Sequence, residues 1–254
     1  MSSAQFEYLD GQLRESHPAL FVRFAEASAA AVEACGPELD LSYGPHPRQR
    51  YDLFRSRGER RGTVVYFHGG YWQSRDKADF RFIAPPLMAD GFDVVLANYP
   101  LCPEVSVAEI VAAAMALPPL LDGPLVLVGH SAGGQIVAEL GMELEVAGVL
   151  AISGVFDLAP LMETSLNVRL ELDQAAARAA SPVHRVTAAP PAIFAVGEDE
   201  TGAFQQQNSR MCEAWRAAGN RADTLVVPGA DHFSVLADFC DGHLLRDTVR
   251  SFFD

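Results

Sequence analysis

The sequence predicts an α/β fold, a mostly parallel central sheet with helices on both faces. Two observations lead there. Short apolar runs closed by Gly or Pro recur along the chain, and helical patterns fill the intervals between them. At 254 residues and 49% hydrophobic, the chain is long enough to bury one large core as a single domain over 1–254.

The elements follow in order. Residues 18–35, "PALFVRFAEASAAAVEAC", start at a proline and stop before Gly36-Pro37, which predicts a helix inside an N-terminal helical segment of about 1–38. Residues 39–56 can supply one or two antiparallel strands at the sheet edge. Then "TVVYFHGG" (63–70), "FDVVLANYP" (92–100), "PLVLVGHS" (124–131), "VAGVLAISG" (146–154), "PAIFAVGE" (191–198) and "DTLVVPG" (223–229) each read as a buried strand. Between them "KADFRFIAPPLMADG", "VSVAEIVAAAMALP", "GGQIVAELGMEL" and "AFQQQNSRMCEAWRAAG" read as helices. The connection over about 157–190 is too long for a simple crossover. It predicts a helical, cap-like insertion over the carboxyl ends of the strands, where open α/β sheets bind ligands.

Composition narrows the function. Charged residues at 20% and a mean hydropathy of +0.09 describe a folding chain rather than a disordered one. A formal charge of −14 disfavours nucleic acid and anionic membranes as partners and favours solubility. Cys35, Cys102, Cys212 and Cys240 form no CxxC, so neither a structural metal site nor a dithiol redox motif is expected. The N-terminus lacks a basic start followed by an apolar run, and no stretch of 18 apolar residues occurs. These features predict a cytoplasmic protein with free thiols.

The chemistry begins at "GHSAG", residues 129–133. G-x-S-x-G is a weak pattern alone, but here it follows the strand "LVLV" and opens a helix, the setting of a nucleophile elbow. Glycines at 129 and 133 avoid clashes in so tight a turn, and Ser131 would project its hydroxyl above the sheet edge. A serine needs a base, and in sheets carrying such an elbow the order is Ser, acid, His. His232 lies just past the last strand and a glycine turn. His17 and His46 are expected before the sheet begins, His184 lies in the insertion, His243 lies in the last helical region, and His68 and His130 sit inside the two motifs. The acid belongs after the preceding strand, where Glu198, Asp199 and Glu200 stand in a row. Three residues after Gly197 is Glu200, with Asp199 the alternative. Acyl transfer also needs backbone N–H groups facing an oxyanion. The bare pair Gly69 and Gly70 after the strand "TVVYF", with the amide of Ala132, can form that hole. Which two of Gly69, Gly70 and Tyr71 point inward stays open. Tyr71 and Trp72 can wall the pocket, or pack in the core.

"HGGYW" with "GHSAGG", and further "RQRYDLF", "NYPLCPEVSV", "SGVFDLAPLMETSLN", "ASP" (180–182) and "VGEDETGAFQQQ", resemble the kynurenine formamidase (arylformamidase) branch of the α/β-hydrolase superfamily, from about residue 43 onward. Carboxylesterases share the aromatic oxyanion loop. The resemblance implies an α/β-hydrolase fold and hydrolysis of N-formyl-L-kynurenine to kynurenine and formate by Ser131, His232 and an acid in the V-G-x-x-acid pattern, here Glu200. Family members often carry Asp at that place. No cofactor is implied, and the partner is a small-molecule acyl substrate. Tyr71, Trp72 and the segment near Phe156 could hold the aryl ring, and Asn167 or Arg169 the amino-acid end. Related enzymes are often dimers, and the alanine-rich helices are compatible with a homodimer. A general carboxylesterase with the same triad is the alternative.

Overall fold

Strands in the middle of the chain are apolar on both faces because both faces are covered. In β3 (Gly62–Phe67) every residue is buried, and the same holds for β4 (Phe92–Ala97), β5 (Leu125–His130) and β6 (Gly148–Ile152). With β1 (Glu38–Ser42), β2 (Arg50–Phe54), β7 (Ala192–Gly197) and β8 (Ala222–Val227) they form one eight-stranded sheet in the order β1-β2-β4-β3-β5-β6-β7-β8. The β1–β2 and β2–β4 pairs are antiparallel, and all the others are parallel. The expected edge segment is thus two antiparallel strands. The computed structural model describes residues 3–253; residues 1, 2 and 254 of the expected 1–254 unit lie outside the described residues.

The described helices are α1 (Ala4–Tyr8), α2 (His17–Cys35), α3 (Ala84–Ala89), α4 (Val107–Ala114), α5 (Ala132–Glu143), α6 (Asn167–Leu170), α7 (Gln174–Ala179), α8 (Gly202–Ala217), α9 (Asp238–Asp241) and α10 (Leu244–Ser251). Strand alternation sorts the core into two layers. Val65, Phe67, Val95 and Leu127 face a cluster that includes Ile110 of α4, Ile136 of α5 and Trp215 of α8. Val64, Tyr66, Val94 and Val126 face the opposite cluster, with Phe24 of α2, Leu87 of α3 and Val249 of α10. Helix α2 ends where proline and glycine predict, at Gly36 with φ 61°.

The long connection after β6 folds into α6, α7 and short 3₁₀ turns. It packs beside the loop after β3 and beside α5: Gln73 Nε2 donates to Leu166 O at 2.9 Å, and Gln135 Nε2 donates to Ala180 O at 3.2 Å. Among the described residues no helix is long and apolar enough to cross a membrane.

Candidate active site

Ser131 stands between β5 and α5 with φ 55° and ψ −116°, a conformation a serine adopts only when its surroundings impose it. The surroundings are tight. A Cβ on Gly129 would meet Gly133 O at 2.1 Å, and one on Gly133 would meet Phe67 O at 2.0 Å. The spacing of G-x-S-x-G is therefore a packing requirement of the elbow here. Ser131 N–H donates to Ile152 O at 2.8 Å and fixes the turn against β6.

His232 follows β8, and its Nε2 lies 3.2 Å from Ser131 Oγ. Its Nδ1 lies 2.8 Å from Glu200 Oε2. Both side chains are buried, the His232 ring against Phe204 with centroids 4.3 Å apart. The second Glu200 oxygen, Oε1, accepts from Gly197 N at 2.8 Å and from Ser153 Oγ at 2.5 Å. Asp199 is exposed, and its backbone carbonyl accepts from Arg14 Nη2. The structure thus brings Ser131, His232 and Glu200 together and leaves Asp199 outside. His130 holds the His232 backbone: its Nε2 lies 2.8 Å from His232 O, while among the described residues its Nδ1 has no partner. Burial, and then the neighbouring His232, push the His130 pKa well below the ordinary value, so the ring is neutral.

The glycine-rich loop expected to meet an oxyanion follows β3. Gly70 has φ 120°, and a Cβ there would meet Ser74 O at 2.3 Å, so only glycine fits. Among the described residues the amides of Gly69, Gly70, Tyr71 and Ala132 have no hydrogen-bond partner. Beneath the loop His68 is stacked between Tyr99 and Phe80 at 4.5 and 5.7 Å, and its Nδ1 lies 2.6 Å from Gly69 O. Burial lowers its pKa to about 4.

A cavity of about 220 Å³ opens on Ser131 and His232. Gly69, Gly70 and Tyr71 line it. The Tyr71 hydroxyl donates to Tyr8 O; burial first, and the Glu200 carboxylate second, raise its pKa. Trp72 does not line the cavity. It is fully buried in the core, with Nε1 donating to Gln135 Oε1 at 3.1 Å, because consecutive left-handed residues at 71 and 72 send the two rings apart. Phe156 is likewise fully buried, against Phe194. Asn167 closes its own turn onto Leu172, and Arg169 donates to Cys102 O, so neither reaches the cavity. No residue of 157–190 lines it. Its cover comes from α2, through Phe21, Phe24 and Ala25, together with Phe80, Phe233 and Arg75. Sequence reading missed this cover, and it missed Ser153. The available signals were the apolar i, i+3, i+4 face of α2 and a small polar residue closing the strand next to the elbow. Among the described residues no group of three or more His, Cys, Asp or Glu could hold a metal ion.

No family model matches the chain. Kynurenine formamidase of Danio rerio is 28% identical over 230 residues, 82% of this chain and 78% of that protein. Kynurenine formamidase of Drosophila melanogaster is 26% identical over 226 residues, 78% of this chain and 75% of that protein. A Silicibacter sp. TM1040 protein of known structure, described provisionally as a thioesterase, is 31% identical. It superposes with a TM-score of 0.88 over 99% of this chain and all of that one. The chain belongs to the α/β-hydrolase superfamily. Its fold is the α/β-hydrolase fold, shared with a hyperthermophilic esterase of Pyrobaculum calidifontis at 19% identity and TM-score 0.73, over 98% of this chain and 96% of that one. This α/β-hydrolase is a hydrolytic enzyme, and its relatives in Danio rerio and Drosophila melanogaster are kynurenine formamidases.

Proposed function

We propose that this hydrolase is an arylformamidase that cleaves N-formyl-L-kynurenine to kynurenine and formate, using Ser131 as nucleophile, His232 as base and Glu200 as the acid that orients it. The observation that carries the reading is the continuous chain from Ser131 Oγ through His232 to Glu200, set at an aromatic cavity. Homology to kynurenine formamidases supports the substrate.

The geometry supplies each step. His232 Nε2 takes the Ser131 proton as Oγ adds to the formyl carbon. The carbonyl oxygen becomes an oxyanion, met by the free amides of the 69–71 loop and of Ala132. Glu200 holds the proton on Nδ1 and stabilises the imidazolium. His232 then gives its proton to the leaving aryl nitrogen, and a water activated by His232 releases formate from Ser131. A formyl group has no carbon substituent, so it needs no acyl pocket. The aryl amine has Phe21, Phe24, Phe80 and Phe233 around it.

Steady-state hydrolysis of N-formyl-L-kynurenine beside a short-chain nitrophenyl ester tests this. The expected result is a kcat/KM orders of magnitude higher for the formamide. Ser131→Ala should lower kcat by about 10³-fold or more on both substrates. Turnover of the ester alone would move the enzyme to the carboxylesterases. A fully active Ser131→Ala would remove Ser131 from the mechanism.

A further inference from the structure

The acyl-transfer steps use the serine, the histidine and the free amides of the cavity. They leave one lining group without a task, the side chain of Arg75. It is exposed at the mouth, and among the described residues its guanidinium makes no ion pair and no hydrogen bond. Its Cζ lies 4.8 Å from the centroid of Phe21, so one face rests on α2 while the N–H edges stay free. Other arginines near the loop are engaged: Arg48 on Tyr99 O and Arg75 O, Arg81 on Asp52, Arg14 on Gly11 O and Asp199 O.

The backbone holds Arg75 at this place. Its φ is 75°, in the left-handed region that non-glycine residues rarely occupy. Its carbonyl accepts from Arg48 Nη2 at 2.9 Å, and Ser74 N–H donates to Gly70 O at 3.1 Å, which ties the Arg75 loop to the oxyanion loop. Strain fixed in this way at a cavity mouth is a feature of functional sites. The setting sharpens the point. The chain carries a formal charge of −14, which repels anionic ligands, yet its candidate active site presents an uncommitted, always-charged fork of donors. Asp79 also lines the mouth and commits Oδ2 to Asp76 N, so the mouth offers one cation and one anion.

We propose that Arg75 is the specificity-determining residue of this site, binding a carboxylate that the substrate carries beyond its aryl ring. Preferred substrates are then acylated aryl amines with an anionic side chain, and an α-amino acid would also place its ammonium toward Asp79. The inference rests on the cavity being the acyl-transfer site and deepens the arylformamidase reading.

The test compares matched ligands with and without the carboxylate. For wild type, Arg75→Gln and Arg75→Lys, kcat/KM is measured on N-formyl-L-kynurenine and on formanilide. Separately, L-kynurenine and 2-aminoacetophenone serve as competitive inhibitors of nitrophenyl acetate hydrolysis. Arg75→Gln should lower the N-formyl-L-kynurenine to formanilide preference by about 10- to 100-fold, through KM more than kcat, and Arg75→Lys should recover part of it. The inhibitor preference for L-kynurenine should fall in parallel. A preference in Arg75→Gln within twofold of wild type overturns the proposal. So does a wild type that L-kynurenine inhibits no better than 2-aminoacetophenone. A wild type inert on N-formyl-L-kynurenine would instead defeat the substrate reading, and the inhibitor comparison would still decide the role of Arg75.

Discussion

At the scale of single residues, Glu200 is the most heavily determined side chain of the site. One oxygen holds His232 Nδ1 at 2.8 Å, and the other accepts from Gly197 N at 2.8 Å and Ser153 Oγ at 2.5 Å. Glu200→Gln keeps the size but replaces an oxygen with an amide donor. One of these contacts is lost, and the charge that stabilises an imidazolium is lost with it. We expect kcat to fall by about 10³- to 10⁴-fold, with a cost of about 1–3 kcal/mol in urea unfolding that leaves the protein folded. A variant with more than a tenth of wild-type kcat would show that Glu200 does not orient the base. Ser153→Ala, which removes one donor to the carboxylate, should cost about tenfold in kcat. Ser131, His232 and Glu200 were legible in the sequence because each sits at a fixed place relative to a strand end, and glycines mark those ends. Ser153 was not, since a serine in "AISG" looks like any strand terminus. Arg75 was not either: a lone arginine in a polar loop reads as solvated charge until the fold puts a cavity beside it.

At the scale of elements, the alternation of strands and helices was legible almost throughout, because Gly and Pro punctuate runs too apolar to face water. The cover of the site was not. Periodicity says that α2 has an apolar face but cannot say what that face meets. Phe24 stacks on Phe82 with ring centroids 4.1 Å apart, and Ser28 ties α2 to Asp79 O and Phe82 N. At the start of the helix His17 Nε2 lies 3.1 Å from Asp231 Oδ2, and Asp231 Oδ1 accepts from Phe233 N and Ser234 N. Burial pushes the Asp231 carboxyl up, but hydrogen bonds from Ser234 and His17 outweigh it and hold the pKa below the usual range. The residue before His232 is therefore clamped from one side by its own turn and from the other by α2. His17→Ala leaves one oxygen of this nearly buried carboxylate without its partner. The expected cost is about 1–3 kcal/mol in urea unfolding, with a fall in kcat as the His232 loop loosens. A loss below about 0.5 kcal/mol with unchanged kcat would mean that the clamp does not position the base.

At the scale of the whole molecule, the strand order puts β5 between β3 and β6, so the Ser131 elbow, the Gly69–Gly70 loop and Ser153 meet at one end of the sheet. Sequence patterns identify strands but not their neighbours, since every buried strand here is equally apolar. That convergence also buries ionisable groups, and it sets the acid stability of the fold. His68 and His130 are neutral in the folded protein near pH 7, with pKa values lowered chiefly by burial, to about 4 for His68 and well below the ordinary value for His130. As pH falls through 6.5, the ordinary histidine value, the unfolded chain takes up two protons that the folded protein refuses, so stability is lost. Glu139 works in the opposite direction. Burial outweighs the Arg185 guanidinium and raises its pKa to about 7, so the folded protein holds a proton that the unfolded chain releases above 4.5, and stability rises as pH falls from 7 to 4.5. Between pH 6.5 and 4.5 the two histidines outweigh the one glutamate, so the net effect of acidification is a loss of stability. Urea unfolding at pH 6.5, 5.5 and 4.5 measures the slope directly. Glu139→Gln removes the opposing proton and should steepen it. A flat profile for both proteins would mean that His68 and His130 take up protons within the folded sheet, which their burial forbids.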